Sequence, residues 1–357
     1  MKFIHIADIH LGAVPDSDMP WGTQRGQEIW SSFRDIVRIC NEEKAELLLI
    51  AGDLFHRQPL VRELKEVNYI LSRLETAQAF IMAGNHDYIS ERSNYQGFEW
   101  DEKVHFFINA TMECKEIEEL GVQVHGFSYH TKDIYEAIYD EAKHEQKDQV
   151  HILLAHGGDE RNIPINRRKL AELDYDYVAL GHIHKPELLN DRIAYSGSLE
   201  PMDKNETGDR GYIRGEITVK SDGSRVTSIC FVPHAVRNYK RCILQVNPHT
   251  SNGALVDLAE ATIKEQGEQH IYSFTIQGVR DETIHFDIEA IRVLGNILEV
   301  EDQSIPDYDF DALYQENKDN IIGMFIQRIR ENAVQDEVAK KALYYGLEAL
   351  LCAKEMR

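Results

Sequence analysis

Residues 47–56 read LLLIAGDLFH, and this stretch gives the strongest indication of the fold. The run LLLIA is short, apolar and uninterrupted, which is typical of a strand buried on both faces of a parallel sheet. Asp53 and His56 come just after the run, on a turn that begins at Gly52. The same order, an apolar run and then polar residues, recurs along the first half of the chain. The further instances are KFIHIA before Asp8 and His10, AFIMA before Asn85 and His86, VHILLA before His156, and DYVAL before His182 and His184.

The polar clusters together supply ligands for two divalent cations. In an open α/β sheet the strand ends gather around one crevice, so we expect side chains that follow different strands to converge there. Carboxylates, an amide oxygen and imidazoles make a mixed oxygen and nitrogen site without thiolate, and Asp53 has the lone pairs to bridge two ions. Glycines beside the clusters permit tight turns close to the metals. The predicted metal ligands are Asp8, His10, Asp53, Asn85, His156, His182 and His184.

Each cluster taken alone is weak evidence, because a single Asp-x-His or Gly-His-x-His is more often an ordinary loop. Their ordered succession, each cluster closing an apolar run, indicates a metal site instead. Five further histidines match no cluster, and we expect each of them in the core or on the surface. They are His5, His105, His125, His144 and His151.

Composition places the chain among globular proteins and argues against some functions. At 357 residues, with 43% hydrophobic and 28% charged residues, the chain is expected to form more than one domain. No apolar run reaches the ~18 residues of a membrane span, and the N-terminus lacks the pattern of a signal peptide. Five scattered cysteines favour reduced thiols in a cytoplasmic protein. The net charge of -22 argues against a protein that covers DNA over a wide surface.

The order of elements predicts an α/β fold, a layered sandwich of mixed β-sheets flanked by helices. Strands and helices alternate over the first part of the chain, with helices predicted near 24–43 and 60–75, and antiparallel strands follow over 190–232. We predict three segments: residues 1–235, a small α+β unit over 236–305 and a helical tail over 306–357. Within the α+β unit, helices are predicted over 254–265 and 286–297.

The ordered motifs DxH, GDxxH, GNHD, H and GHxH resemble those of the calcineurin-like metallophosphoesterase superfamily. Within it, DIHLG, GDLFH, GHIHKP and YSGSLEP followed by RGY are similar to the SbcD-type DNA repair exonucleases. The similarity covers about residues 1–235. It implies a two-metal phosphoesterase domain, a capping domain over 236–305, and a tail that docks a partner.

The resemblance also implies roles for individual residues. His86 matches the family's catalytic histidine, which assists the leaving group, and His56 matches a second histidine that positions phosphate. Asp87 is a candidate to orient the His86 imidazole. Manganese is the expected metal, with zinc and iron as alternatives. One ion would be held by Asp8, His10, Asp53 and His184, and the other by Asp53, Asn85, His156 and His182.

The implied function is metal-dependent hydrolysis of DNA phosphodiester bonds at strand ends, as an exonuclease in DNA repair. The implied partners are an SbcC-like coiled-coil ATPase and a second copy of the chain. Candidate DNA contacts are the cations after two of the ligand clusters, although those on 167–169 could equally form a solvated helix face. These residues are Arg161, Arg167, Arg168, Lys169 and Lys185.

Two further questions stay open at this stage. A phosphodiesterase acting on a cyclic nucleotide or nucleotide conjugate would use the same ligands and suit the acidic charge, and a non-catalytic scaffold is a third alternative. The apolar stripe of the tail could pack on this chain's own core or dock a partner helix. That stripe comprises Val338, Leu343, Leu347, Leu350 and Leu351.

Overall fold

A computed structural model describes residues 1–145, 148–332 and 337–355. The chain divides into two compact units, Met1–Tyr239 and Lys240–Arg357. The first contains all the predicted metal ligands and residues 236–239, and the second contains the rest of the predicted α+β segment together with the predicted tail.

The first unit is built from two mixed sheets. Its strands are β1 (Lys2–Ile6), β2 (Leu47–Ala51), β3 (Gln78–Met82), β4 (Val104–Phe107), β5 (Glu113–Ile117), β6 (Val122–Gly126), β7 (Val150–His156), β8 (Tyr177–Gly181), β9 (Glu187–Asn190), β10 (Ile193–Tyr195), β11 (Gly211–Val219) and β12 (Arg225–Pro233). One sheet has the order β12-β11-β1-β2-β3-β4 and the other β5-β6-β7-β8-β10-β9. Its helices are α1 (Gly22–Glu43), α2 (Val61–Leu71) and the short α3 (Arg167–Glu172).

The layers follow from the alternation of side chains along β2, which is buried at every residue. Leu48 and Ile50 face the apolar stripes of α1 and α2. Leu47 and Leu49 face the other way and pack against residues of the second sheet. A strand covered on both faces has no polar side to present, which is why its sequence is a continuous apolar run. The predicted layered α/β sandwich of mixed sheets flanked by helices is confirmed.

The second unit has its own core. Its elements are β13 (Tyr239–Val246), α4 (Asn252–Gln266), β14 (Ile271–Arg280), α5 (Ile288–Arg292), β15 (Ile297–Asp302), β16 (Ile305–Pro306), α6 (Phe310–Glu316), α7 (Ile321–Asn332) and α8 (Glu337–Glu355). The helix predicted over 286–297 is wrong in length, because α5 spans only five residues and Ile297 already begins a strand. The β-branched residues Ile297 and Val300 pack in the core of this unit, and that packing decides in favour of the strand.

The tail stripe packs in part on the chain itself. Leu347 of α8 is fully buried against Ile322 and Ile326 of α7, whereas Val338 is 70% exposed. Leu350 and Leu351 are partly covered by the same cluster. Within the described ranges, no helix combines the length and the apolar character that crossing a bilayer would require.

Candidate metal centre

The predicted ligands lie at the carboxyl ends of strands from both sheets. Asp8 follows β1, Asp53 follows β2 and Asn85 follows β3, and these three strands run parallel. In the second sheet, His156 is the last residue of β7, and His182 directly follows its parallel neighbour β8. Since the parallel strands of each sheet end at one edge, side chains far apart in sequence meet there.

The backbone at these positions is unusual. Asp8 (φ 51°), His10 (φ 52°), Asp53 (φ 48°) and His182 (φ 90°) are all in the left-handed region, which side chains other than glycine seldom adopt. Such conformations persist where the surrounding structure over-determines them, and they concentrate at functional sites. Here the turns aim side chains into the crevice directly after each strand.

One group of potential ligand atoms comprises Asp8, His10 and His184, whose donor atoms all lie within 4.8 Å of one another. The Nε2 atoms of His10 and His184 are 3.0 Å apart. The Oδ2 atom of Asp53 lies 3.9 Å from His10 Nε2. Two imidazole nitrogens that face each other beside two carboxylates are positioned to bind one cation.

A second group comprises Asp8, Asp53 and His156, again with donor atoms within 4.8 Å. Asp53 Oδ2 is 3.5 Å from His156 Nε2. The amide oxygen of Asn85 lies 3.0 Å from His156 Nε2 and 3.1 Å from His182 Nδ1. Asp53 is therefore within reach of imidazoles from both groups, the position that a bridging carboxylate needs.

The charged groups buried in this crevice shift one another's pKa values. Burial would raise the pKa of Asp53, but His156 and His10 outweigh it and hold that pKa well below its usual range. Burial would lower the pKa of His156, yet Asp53 raises it to about 9. Burial raises the pKa of Asp8, a shift that His184 opposes. Positive charge nearby, either on protonated imidazole or on bound cations, therefore stabilises the carboxylates.

Two carboxylates that the sequence analysis missed hold the outer imidazoles. Glu206 Oε1 lies 2.6 Å from His184 Nδ1, and Asp159 Oδ2 lies 2.8 Å from His182 Nε2. Burial would raise the pKa of Asp159, but the hydrogen bond with His182 outweighs it and lowers that pKa to about 2. Such carboxylate–imidazole pairs fix the orientation of metal-binding histidines. Glu206 lies 22 residues from His184, so no local sequence motif indicates this contact.

His56 and His86 lie at the exposed rim of the crevice. Together with His10 they form a third group of potential ligand atoms within 4.8 Å. The rings of His56 and His86 are stacked, with centroids 5.3 Å apart. The backbone N–H of His86 donates to Asp53 Oδ1 at 2.9 Å, so the rim is tied to the buried carboxylate.

The predicted contact between Asp87 and the His86 imidazole needs correction. The Asp87 carboxylate accepts hydrogen bonds from the backbone N–H groups of Gly84 and Phe55 and from the Tyr95 hydroxyl. His86 Nδ1 instead lies 3.2 Å from the carbonyl oxygen of His56. Burial and the charge of Asp53 raise the pKa of Asp87 to about 7. Because its side chain points back into the loop, Asp87 braces the turn that carries Asn85.

The predicted DNA-contacting cations are mostly neutralised by carboxylates. Arg167 makes a bidentate pair with Glu187, with both N–O distances 2.8 Å. Arg161 lies 3.7 Å from Asp133, and Lys169 lies 3.4 Å from Asp140. The remaining two predicted contacts, Arg168 and Lys185, are exposed.

The residues present fit divalent cations. A Cβ on Gly84 would lie 2.3 Å from Asp53 Oδ1 and 2.7 Å from His156 Nε2, so only glycine leaves room for these donors at the centre. The donor set combines carboxylate and amide oxygens with imidazole nitrogens and contains no thiolate, which suits hard to borderline divalent metals.

Comparisons with known proteins agree with this chemistry. The sequence profile of the family described as calcineurin-like phosphoesterase matches residues 1–186, which is more than half of the chain. The match covers the strand ends that carry all of the predicted ligands.

Individual relatives are similar at modest identity. The chain is 28% identical to the uncharacterized metallophosphoesterase YhaO of Bacillus subtilis, over 61% of this chain and 58% of that protein. It is 30% identical to the DNA double-strand break repair protein Mre11 of Archaeoglobus fulgidus, over 63% of this chain and 56% of that protein. A protein of the same description from Methanocaldococcus jannaschii is 30% identical over 58% of this chain and 59% of its own length. The chain thus matches somewhat more than half of each relative.

Proposed function

This chain belongs to the calcineurin-like phosphoesterase family, and we propose that it is a metal-dependent exonuclease that hydrolyses DNA phosphodiester bonds at strand ends. The observation that carries the proposal is the placement of two exposed imidazoles, His56 and His86, beside His10 in the crevice. The similarity to two proteins described as DNA double-strand break repair protein Mre11 supports DNA as the substrate.

The donor geometry supports the assignment of ligands that we propose. The close approach of His10 and His184 favours a shared ion, and so does the contact of Asn85 with His156 and His182. Asp53 would bridge the two ions. We assign Asp8, His10, Asp53 and His184 to one cation, and Asp53, Asn85, His156 and His182 to the other. Manganese is the metal that we propose, with zinc and iron as alternatives.

Two divalent cations at this centre would activate a water for in-line attack on phosphorus and neutralise the non-bridging oxygens. His86 acts on the departing sugar oxygen. Its Nδ1 faces the His56 carbonyl oxygen at 3.2 Å, so Nδ1 is the donating nitrogen and the ring is held in one orientation. This leaves Nε2 available to the leaving group, and when the ring carries a second proton Nε2–H donates it to the departing oxygen.

His56 positions the phosphate. Burial and the neighbouring His86 lower the pKa of His56, so this ring is neutral at physiological pH and donates one hydrogen bond to a phosphate oxygen. Its stacking on His86 places both rings along one edge of the crevice, where an extended backbone can pass.

The test compares four substrates: linear duplex, single strand, closed circle and a cyclic dinucleotide, each with Mn²⁺. We expect the linear DNA to be degraded from its ends and the circle to survive. Asp53→Ala, purified in parallel, must be inactive, which excludes a contaminating nuclease. Turnover of the cyclic dinucleotide alone would contradict the nuclease proposal and leave the phosphoesterase assignment intact.

A small diester is the second candidate substrate, and one observation favours it. Arg161, Arg167 and Lys169 already face carboxylates, so a DNA backbone would have to displace Asp133, Glu187 and Asp140 to reach them. The net charge of -22 points the same way. DNA binding through Arg168 and Lys185 alone predicts a shallow salt dependence, which a binding isotherm at several salt concentrations measures.

We further propose that the tail helices dock a coiled-coil ATPase. On α7, Ile321 and Met324 are 67% and 60% exposed, and Tyr345 of α8 is 71% exposed. Exposed large apolar side chains on neighbouring helices suit a helix-in-groove contact. The homodimer that the resemblance implies stays a prediction, and sedimentation of the purified chain tests it.

A further inference from the structure

The loop between β10 and β11 lies directly against the metal centre. It spans residues 196–210 and contains most of the motif YSGSLEP. The Ser198 N–H donates to the carbonyl oxygen of His184 at 3.0 Å, so the loop backbone touches a predicted ligand. A Cβ on Gly197 would lie 2.6 Å from the same oxygen, and glycine therefore permits this close approach.

Glu206 links this loop to the His184 ring. Its Oε1 lies 2.6 Å from His184 Nδ1. Because an ionised carboxylate only accepts hydrogen bonds, Nδ1 holds the ring proton and the lone pair stays on Nε2, the nitrogen that faces the metal centre. The second carboxylate oxygen, Oε2, accepts the Met202 N–H at 2.9 Å. The Ser198 hydroxyl and Arg210 Nε lie farther from Oε2, at 3.5 and 3.8 Å.

A single peptide unit links Glu206 to Arg25 of α1. The Pro201 carbonyl and the Met202 N–H belong to the same planar peptide, so neither group can turn without the other. Arg25 Nη2 donates to the Pro201 oxygen at 2.7 Å. By holding this carbonyl, the guanidinium also holds the N–H group that Glu206 accepts.

Arg25 is itself fixed by a buried cluster of charged and polar groups. Its Nη1 donates to Glu28 Oε2 at 2.8 Å and lies 3.6 Å from Glu200 Oε2. Glu28 also accepts from Arg237 Nε at 2.7 Å, and Glu200 accepts from the Ser32 hydroxyl at 2.6 Å. Removing such charges from water is costly, and well-packed apolar side chains of similar volume are often at least as stable. Stability alone therefore does not account for this cluster.

We propose that Arg25 is a positioning residue of the metal centre, which acts on the His184 ring through the Pro201–Met202 peptide and Glu206. The proposal rests on the proposed role of His184 as a metal ligand. Without the guanidinium the peptide is free to rotate, and Glu206 loses its shortest backbone contact. The affinity for the cation that His184 holds then falls, whereas the other proposed cation keeps all its ligands.

Binding of Mn²⁺ to the metal-free full chain tests the proposal without any substrate, and the electron paramagnetic resonance signal of free Mn²⁺ measures it. The wild type should bind two ions. Arg25→Gln should bind one of them with wild-type affinity and the other at least tenfold more weakly. The matched control is Arg192→Gln, which should keep both affinities. Arg192 likewise donates to backbone carbonyls, at 2.8 Å to Ala171 and 3.0 Å to Leu173, but it pairs with the start of β8 and not with its end at the metal centre.

A double variant separates positioning from a general loss of stability. If Arg25 acts through Glu206, Arg25→Gln combined with Glu206→Gln should bind Mn²⁺ no more weakly than Glu206→Gln alone, whereas independent effects would multiply. The proposal is overturned by multiplying effects, by unchanged affinity in Arg25→Gln, or by an equal loss in Arg192→Gln. Should Arg25→Gln not fold, Arg25→Lys keeps the charge without the fixed fork of donors, and its loss of affinity must depend on Glu206 in the same way.

Failure of the nuclease proposal gives a different result from failure of this one. A chain that binds two ions and leaves DNA intact contradicts the nuclease but not the role of Arg25, because binding is measured without DNA. A His184→Ala variant that binds both ions with wild-type affinity would remove the ligand assignment, and the proposed role of Arg25 would fail with it.

Discussion

The two histidine groups at opposite ends of β7 differ in the residues that accompany their imidazoles. At the C-terminal end, His156 lies beside the buried carboxylates Asp8 and Asp53. At the N-terminal end, His151 lies 3.4 Å from His125, whose neighbours include the Cys114 thiol and the Tyr175 ring, and the cross-strand pairing there is regular. Left-handed backbone marks Asp8 and Asp53 but none of the N-terminal group.

The difference shows that clustered imidazoles alone do not define a chemistry. Carboxylates make the first group suited to hard cations. Their negative charge also raises the pKa of His156. The second group instead pairs two buried imidazoles with each other and with a phenol ring. Left-handed turns accompany the predicted ligands of the first group, although Asp16, Lys44 and Ile163 adopt the same conformation elsewhere.

The largest loss of turnover is expected from a variant of the first group that still binds metal. His86→Ala should lower turnover by about 10³-fold, the middle of the range for loss of a general acid. The bound metal should stay at the wild-type level, because His86 is not among the proposed ligands. Elemental analysis and kcat measured on the same preparation test this, and an unchanged kcat would remove His86 from the mechanism.

Adding one methyl group should disrupt the first group without substituting a predicted ligand. In Gly84→Ala the new Cβ would lie 2.3 Å from Asp53 Oδ1, so the carboxylate must move, and a shift of about 1 Å costs about 10²-fold in rate. Gly295→Ala is the matched control, because a Cβ there meets nothing within 4 Å. Equal Mn²⁺ stoichiometry and equal rates in the two variants would contradict the crowded centre.

Loss of an outer carboxylate should weaken metal binding more mildly. Glu206→Gln removes the charge that holds His184, and partners of this kind typically contribute about 10-fold or more to metal affinity. Asp203→Asn, on the same loop but bonded to Asn205, is the control. Competition with a fluorescent chelator measures both affinities, and a difference of less than twofold would assign Glu206 a purely structural role.

His5 belongs to neither group, and burial is the main influence on its pKa. Burial lowers the pKa of His5 to about 3, against an ordinary value of 6.5, with its Nδ1 2.8 Å from the Tyr177 hydroxyl. The unfolded chain therefore takes up a proton that the folded chain refuses, and stability falls as the pH drops below 6.5. Between pH 7 and pH 5 this amounts to about 2 kcal/mol.

Urea unfolding at the two pH values measures that contribution. His5→Gln should show a loss on acidification that is smaller by about 2 kcal/mol, whereas His249→Gln, on the second unit, should behave like the wild type. Identical pH dependence in His5→Gln and wild type would mean that His5 is protonated in the folded protein.

The convergence of the predicted ligands could be foreseen because each of their clusters follows one strand. An apolar run such as LLLIA specifies burial, and the Gly52–Asp53 pair at its end specifies a turn, so position in the fold followed from local pattern. Asp87 illustrates the limit. Its place next to His86 in the sequence suggested a contact, but the turn directs its carboxylate to the Gly84 and Phe55 amides instead.

The contacts that could not be predicted from the sequence depend on pairings between distant elements. Glu206 reaches His184 across a loop, and Cys114 reaches His125 only because β5 and β6 pair in one particular register. A shift of that register by a single residue would place the thiol on the opposite face. The predicted helix over 286–297 failed for a related reason, since burial of Ile297 against the core decides its conformation.

The left-handed turns at Asp8, His10, Asp53 and His182 have a consequence for protein engineering. Each such residue stores on the order of 1 kcal/mol that glycine would release. Replacing Asp53 by glycine should therefore yield an inactive protein that melts at a higher temperature than Asp53→Ala. A screen for thermal stability alone would therefore enrich inactive variants of this protein. Such a screen must also select for turnover.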